Sequence, residues 1–248
     1  MNKHLFFKHL TNIFWLCTLC VVCQHTGWGQ SHYRIMRYFD KTYQQSLEYL
    51  WQHRATLKKH LPSDSAEAAF VLAMGFPELL RFEAMQNKME TLFLELLYVK
   101  NGAAYANFSV GRFQMKPSFA ETLEKYAKTY IPKAIPQVYL YQASSIKDVR
   151  RERVKRLNQL SWQLRYLYTL YQALNYRYSQ QKFSSNAHKL RFFAAAYNYG
   201  FLSKSKKIQQ WTQVKAFPHG RNHIGKQHNY TIIALDFFKY EALKLTKQ

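Results

Sequence analysis

Apolar residues recur at helical spacing along most of the chain. Between His32 and His60, Tyr33, Met36, Tyr43, Leu47, Leu50 and Leu57 follow one another at three-, four- and seven-residue steps, which predicts a helical segment. Leu61-Pro62-Ser63-Asp64 breaks it. Asp64 with Glu67 three positions on has the spacing of a capping box, so a helix is expected to start there. Its apolar side holds Phe70, Val71, Met74 and Phe82, with Pro77 as a kink or boundary. A second helix is expected from about Pro77 to Val99, stopped by Asn101-Gly102.

The stretch from Asn107 to Pro117 (NFSVGRFQMKP) is a compact polar segment, punctuated by Gly and Pro, between long helical patterns. Such a loop is where an α-rich protein exposes backbone and polar side chains. After it, Ser118 with Glu121 predicts a capped helix running to Tyr130, closed by Pro132 and Pro136. Charge-dense Ile146–Arg156 reads as the solvated start of one long helix. Leu157, Leu160, Leu164, Leu167, Tyr171 and Leu174 continue its apolar stripe. His188–Tyr199 is apolar almost all round, as in a buried helix. Lys204–Asn229 reads as a basic loop, and a last helix is expected from about Thr231 to Leu245. The fold class is all-α, with room for a small hairpin near residues 105–115.

The start of the chain is different in kind. Lys3 and Lys8 precede a short apolar run from Ile13 to Cys23, and Gly27-Trp28-Gly29 supplies small residues at a cleavage position. Residues 1–29 are therefore expected to be a secretory signal, since the run is well below the roughly 20 residues that cross a bilayer. All three cysteines, Cys17, Cys20 and Cys23, fall inside it. Their spacing could suggest a metal or redox site, but within a signal core they read as small apolar residues. The mature chain would then be an exported protein of the periplasm or cell envelope with no integral span, no disulfide, no metal and no cofactor. Its expected parts are an N-terminal helical segment (30–63), a core (64–202), and a basic loop with a C-terminal helix packed on that core (203–248).

Charge narrows the partners. The whole chain carries +22, and without Lys3 and Lys8 the mature part carries +20 against 14 acidic residues. An exported cation of this size meets anionic envelope surfaces rather than nucleic acid. With so few carboxylates, Glu78 stands out. On a helix it shares a face with Val71, Met74 and Phe82, and an apolar environment raises a carboxyl pKa, as a general acid requires. The competing structural reading is a Glu bonded to backbone amides at a helix start beside Pro77. Glu95, flanked by Leu92, Leu96, Tyr98 and Val99, is the second carboxylate of interest. His219, His223 and His228 lie in the basic loop without acids and read as part of the cationic surface.

Two short motifs carry a family resemblance. Gly111-x-x-Gln114-x-x-Pro117 resembles the G-L-M-Q-x-x-P segment of soluble-type lytic transglycosylases and the matching stretch of goose-type lysozymes. Ala196-Tyr197-Asn198-Tyr199-Gly200 is similar to that family's A-Y-N-A-G. The order of acid, loop, long helix and second motif also matches, over roughly Asp64 to Leu202. The resemblance implies a lysozyme-like fold that cleaves peptidoglycan glycan strands between N-acetylmuramic acid and N-acetylglucosamine, with one Glu as acid and then base. It implies Glu78 as that residue, Ser109, Gly111, Gln114 and the Met115 backbone along the sugar, Tyr197 orienting the Glu, and Asn198 lining the cleft. Two departures stand. Leu79 follows Glu78 where the family has Ser, and the interval from Glu78 to Gly111 is longer than in soluble-type enzymes, a spacing that points to Glu95. A hydrolytic muramidase on the same fold and a non-catalytic peptidoglycan-binding protein remain as alternatives.

Overall fold

The computed structural model describes residues 32, 35–85 and 97–247. The expected signal, Glu95 and the predicted helix across 86–96 lie outside the described residues. The chain forms two compact units, 1–43 and 44–248. In the first, residues 35–43 are helical, with Ile35, Phe39 and Tyr43 buried along one face.

Among its described residues, the second unit is all-α apart from one two-stranded hairpin. Helical residues 44–52 and helix α1 (Arg54–His60) lead to the break at Leu61. Helix α2 (Ser65–Met85) follows, and its start is built as the sequence suggests: Asp64 Oδ1 accepts from the Glu67 amide at 2.7 Å. Contrary to expectation, Pro77 neither ends nor divides α2. Proline removes a helix hydrogen bond, at about 3 kcal/mol. Here residues 68–80 are buried on every side, and that packing outweighs the cost. Glu78 therefore sits in a helix interior rather than at a helix start.

Around α2 the rest of the unit is arranged. Residues 97–101 are helical. Helix α3 (Pro117–Tyr130) follows the loop, then α4 (Ile146–Leu157) and α5 (Leu160–Arg177). The predicted single helix from 146 to 174 is thus two. Asn158 ends the first by turning both its backbone amide (3.1 Å) and its side-chain amide (3.2 Å) onto the Val154 carbonyl. Helix α6 (Asn186–Tyr199) is capped by Ser185 and buries Leu190 and Phe192–Ala196.

The basic stretch after it holds more structure than a loop. Helix α7 (Ser205–Trp211) is followed by strand β1 (Lys215–Phe217), which pairs antiparallel with β2 (His228–Asn229). Asn229 then caps α8 (Tyr230–Phe237), accepting from the amides of Thr231 and Ile232. The predicted last helix is in fact α8, a π-helical turn (Phe238–Ala242) and α9 (Leu243–Thr246). Helix α2 packs against α5, α6, α8, the π turn and α9. Phe76 stacks on Phe237 at 3.7 Å, which anchors α2 to α8. No helix among the described residues is long and apolar enough to cross a membrane.

Candidate active site

Glu78 faces a cleft of about 620 Å³, a volume suited to a ligand the size of one or two sugar rings. Among the described residues lining it, Glu78 is the only carboxylate. Its side chain is buried, only 3% exposed, and α2 supplies the first partner one turn on. Arg81 Nη1 donates to Glu78 Oε2 at 2.7 Å. The guanidinium is itself held in place: Nε donates to the Pro218 carbonyl at 3.1 Å, and the group lies 5.0 Å from the centre of the Phe217 ring.

Two further helices reach the same carboxyl. Asn198, near the end of α6, points its Nδ2 at Glu78 Oε1, 3.4 Å away. Tyr230, at the start of α8, brings its hydroxyl to the carboxyl, and its one proton is shared between Glu78 and the Met74 carbonyl 3.2 Å away. Burial pushes the Glu78 pKa up. Arg81, the bonds from Asn198 and Tyr230, and the charge of Lys116 pull it down, and burial wins. The same enclosure, with Glu78 close by, drives the Tyr197 and Tyr230 hydroxyls well above their usual range, so both remain neutral donors.

The loop after α2 forms one wall. Val110 and Met115 pair across a tight turn, with N–H···O distances of 2.8 and 3.0 Å. This is the only β feature found near residues 105–115. The turn needs left-handed backbone at Gly111 (φ 67°) and at Gln114 (φ 49°). Buried Gln163 of α5 clamps it, donating to the Val110 carbonyl at 2.8 Å and accepting from the Phe113 amide at 3.3 Å. Phe113 in turn fits over Gly75 of α2, where a Cβ would lie 2.8 Å from its ring. The wall is therefore tied to the helix that carries Glu78.

The residues expected along the sugar are placed unevenly. Ser109, Gln114 and Met115 line the cleft. Gln114 Nε2, however, donates back to the Gly111 carbonyl at 3.0 Å, and the Met115 amide is taken by Val110. Gly111 does not line the cleft. Its bare Cα faces Gln163 and Leu157, where a Cβ would meet Gln163 Nε2 at 2.1 Å. Gly111→Ala should therefore cost about 1–3 kcal/mol through backbone strain, with loss of the Gln163 clamp on top. Urea denaturation measures it. Unchanged stability would mean the turn does not depend on that approach.

Tyr197 and Asn198 both line the cleft, as expected of Asn198, but the bond to Glu78 expected of Tyr197 comes from Asn198. The Tyr197 hydroxyl donates to the Phe113 carbonyl at 2.6 Å, bracing the loop, while Asn198 is the group that touches Glu78. Helix α3 adds Phe119 and Thr122. It is started without its own side chain: Asn107 of the loop accepts from the Ser118 amide at 3.0 Å, a capping role expected of Ser118.

Arg81, Trp211 and Tyr230 are absent from the sequence reading. Arg81 could have been found, since it stands three positions after Glu78 on one helix face. Trp211 and Tyr230 arrive from distant parts of the chain, with no local pattern to mark them. Compared with protein-family models, curated proteins and solved structures, the chain matches none.

Proposed function

We propose that this cleft cleaves the glycan strands of peptidoglycan between N-acetylmuramic acid and N-acetylglucosamine, as a lytic transglycosylase of an exported, envelope-located protein. The observation that carries the reading is a buried carboxyl that faces the cleft. Among the described residues, Glu78 is the one acid in a cleft walled by the two motifs that resemble that family. Protonated Glu78 donates to the glycosidic oxygen as the bond to the muramic C1 breaks, and the 2-acetamido oxygen closes on C1. The carboxylate left behind then takes the proton of the C6 hydroxyl, whose oxygen displaces the acetamido group and forms the 1,6-anhydro ring. One group serves twice, so no second carboxylate is required, unlike in paired-carboxylate glycosidases.

The surroundings of Glu78 suit both halves of that cycle. Burial favours the acid, and Arg81 and Asn198 stand ready to hold the carboxylate once the proton has left. Between Arg153 and Leu235 the chain holds neither Asp nor Glu. Residues 153–235 thus contribute only positive side-chain charge, which suits a polymer whose stem peptides carry carboxylates.

Digestion of purified sacculi with mass analysis of the products tests the reading. Anhydro-muropeptides are expected. New reducing ends would make the protein a muramidase, and binding without release would make it a non-catalytic wall protein. Replacing Arg81 with Met should move the alkaline limb of activity to higher pH. The arginine charge lowers the Glu78 pKa, so its loss lets the acid stay protonated further up the scale. A pH–rate profile reads the limb, and a shift toward lower pH would refute the assignment.

A further inference from the structure

A carboxamide can turn by half a rotation and exchange its donor and acceptor ends with little change of shape. At Asn198 the two ends have opposite effects on Glu78. The NH₂ end donates to the carboxylate and favours it, whereas the carbonyl end favours the protonated acid. Trp211 decides which end is presented. An indole N–H can only donate, and Trp211 Nε1 lies 2.9 Å from Asn198 Oδ1. With Oδ1 so engaged, Nδ2 is left facing Glu78 Oε1 at 3.4 Å. The indole has neighbours of its own to fix its plane. Tyr199, on the cleft wall, packs against it at 4.6 Å with the rings inclined by 31°, and the Arg221 guanidinium lies 4.5 Å from its centre.

We propose that Trp211 is a positioning residue for the candidate acid: its indole N–H locks the Asn198 amide with the NH₂ group toward Glu78. The catalytic consequence rests on the reading of Glu78 as the acid, but the orientation of the amide does not. Without the lock, Asn198 is free to turn its carbonyl toward the protonated carboxyl and hold the proton there. Trp211 thereby eases release of the proton in the first step of the cycle and steadies the carboxylate that acts in the second. The other groups that act on Glu78 are Arg81 from its own helix, Lys116 from the loop, Tyr197 from α6 and Tyr230 from α8. All four stay in the chain when only Trp211 is changed.

The test is an NMR titration of the Glu78 carboxyl carbon in ¹³C-glutamate-labelled protein, assigned with Glu78→Gln. Trp211→Phe, which keeps a ring and removes the donor, should shift the Glu78 midpoint upward. In an Asn198→Ala background the same change should leave the midpoint in place, because the effect passes through the amide. An unmoved midpoint in Trp211→Phe, or an equal shift with and without Asn198, overturns the proposal. Should Trp211→Phe not fold, the unsubstituted protein still decides the matter. The Trp211 indole proton should be protected from solvent exchange, and the Asn198 NH₂ signals should move as Glu78 titrates. An indole proton exchanging as freely as that of exposed tryptophan refutes the lock. None of these readings uses substrate, so an inactive protein on sacculi would leave the proposal standing, and a failed titration would leave the activity standing.

Discussion

Glu78→Gln is expected to abolish release of anhydro-muropeptides, by roughly 10²–10⁴-fold, while leaving the protein folded and able to bind glycan. The amide keeps the size of the carboxyl and removes only its proton chemistry. The same change should raise thermal stability at pH values above the raised Glu78 pKa. Burial makes the Glu78 carboxyl bind its proton more tightly in the folded chain than in the unfolded one. Its contribution to stability is therefore fully present below the unfolded carboxylate range and is lost as pH rises through the raised folded value. Gln cannot ionise, so that loss should vanish from the stability–pH curve of the variant. A protein that becomes inactive and more stable at once has a site that trades stability for chemistry. Full activity in Glu78→Gln, together with loss in Glu95→Gln, would hand the role to Glu95.

How far this site could be read in the sequence depends on the range of each contact. The Asp64 cap and the apolar faces of α2 and α6 are local patterns, and the structure reproduces them. So is the position of Glu78 on an apolar face, where Val71 and Met74 are fully buried beside it. Propensity misled where packing outweighs it, as at Pro77. It also misled where a distant side chain does a local job, as Asn107 does for α3. The same limit explains why Asn198 rather than Tyr197 bonds Glu78. Both belong to one motif on one helix end, yet which of them reaches Glu78 is set by the loop carbonyl that takes the Tyr197 proton. The basic stretch from Lys204 to Asn229 read as loop because its strands are two and three residues long. Too few positions alternate there to leave a period.

Away from the cleft, Arg153→Met should lower the melting temperature by roughly 6–20 °C, the largest stability loss expected of any single substitution considered for this chain. Arg153 and Glu124 form a buried pair, their side chains only 8% and 7% exposed, with Nη2 to Oε2 at 2.6 Å and Nε 3.0 and 3.1 Å from the two carboxylate oxygens. Tyr141 and Tyr166 donate to Glu124 Oε1, and Arg153 Nη1 donates to Tyr98 and Glu121. Four helical stretches meet at this one network: 97–101, α3, α4 and α5. Helix α3 turns Glu124 into the network and Phe119 and Thr122 toward the cleft, so the ion pair also seats a cleft wall. Removing the arginine alone strands a buried carboxylate, at about 3–5 kcal/mol, whereas replacing both partners with apolar residues removes charge and counter-charge together. Arg153→Met combined with Glu124→Leu should accordingly be markedly more stable than Arg153→Met alone. Thermal denaturation of the two variants beside the parent and Glu124→Leu completes the cycle. If the two losses simply add, the pair is not coupled and the network is not what holds α3 and α4 together.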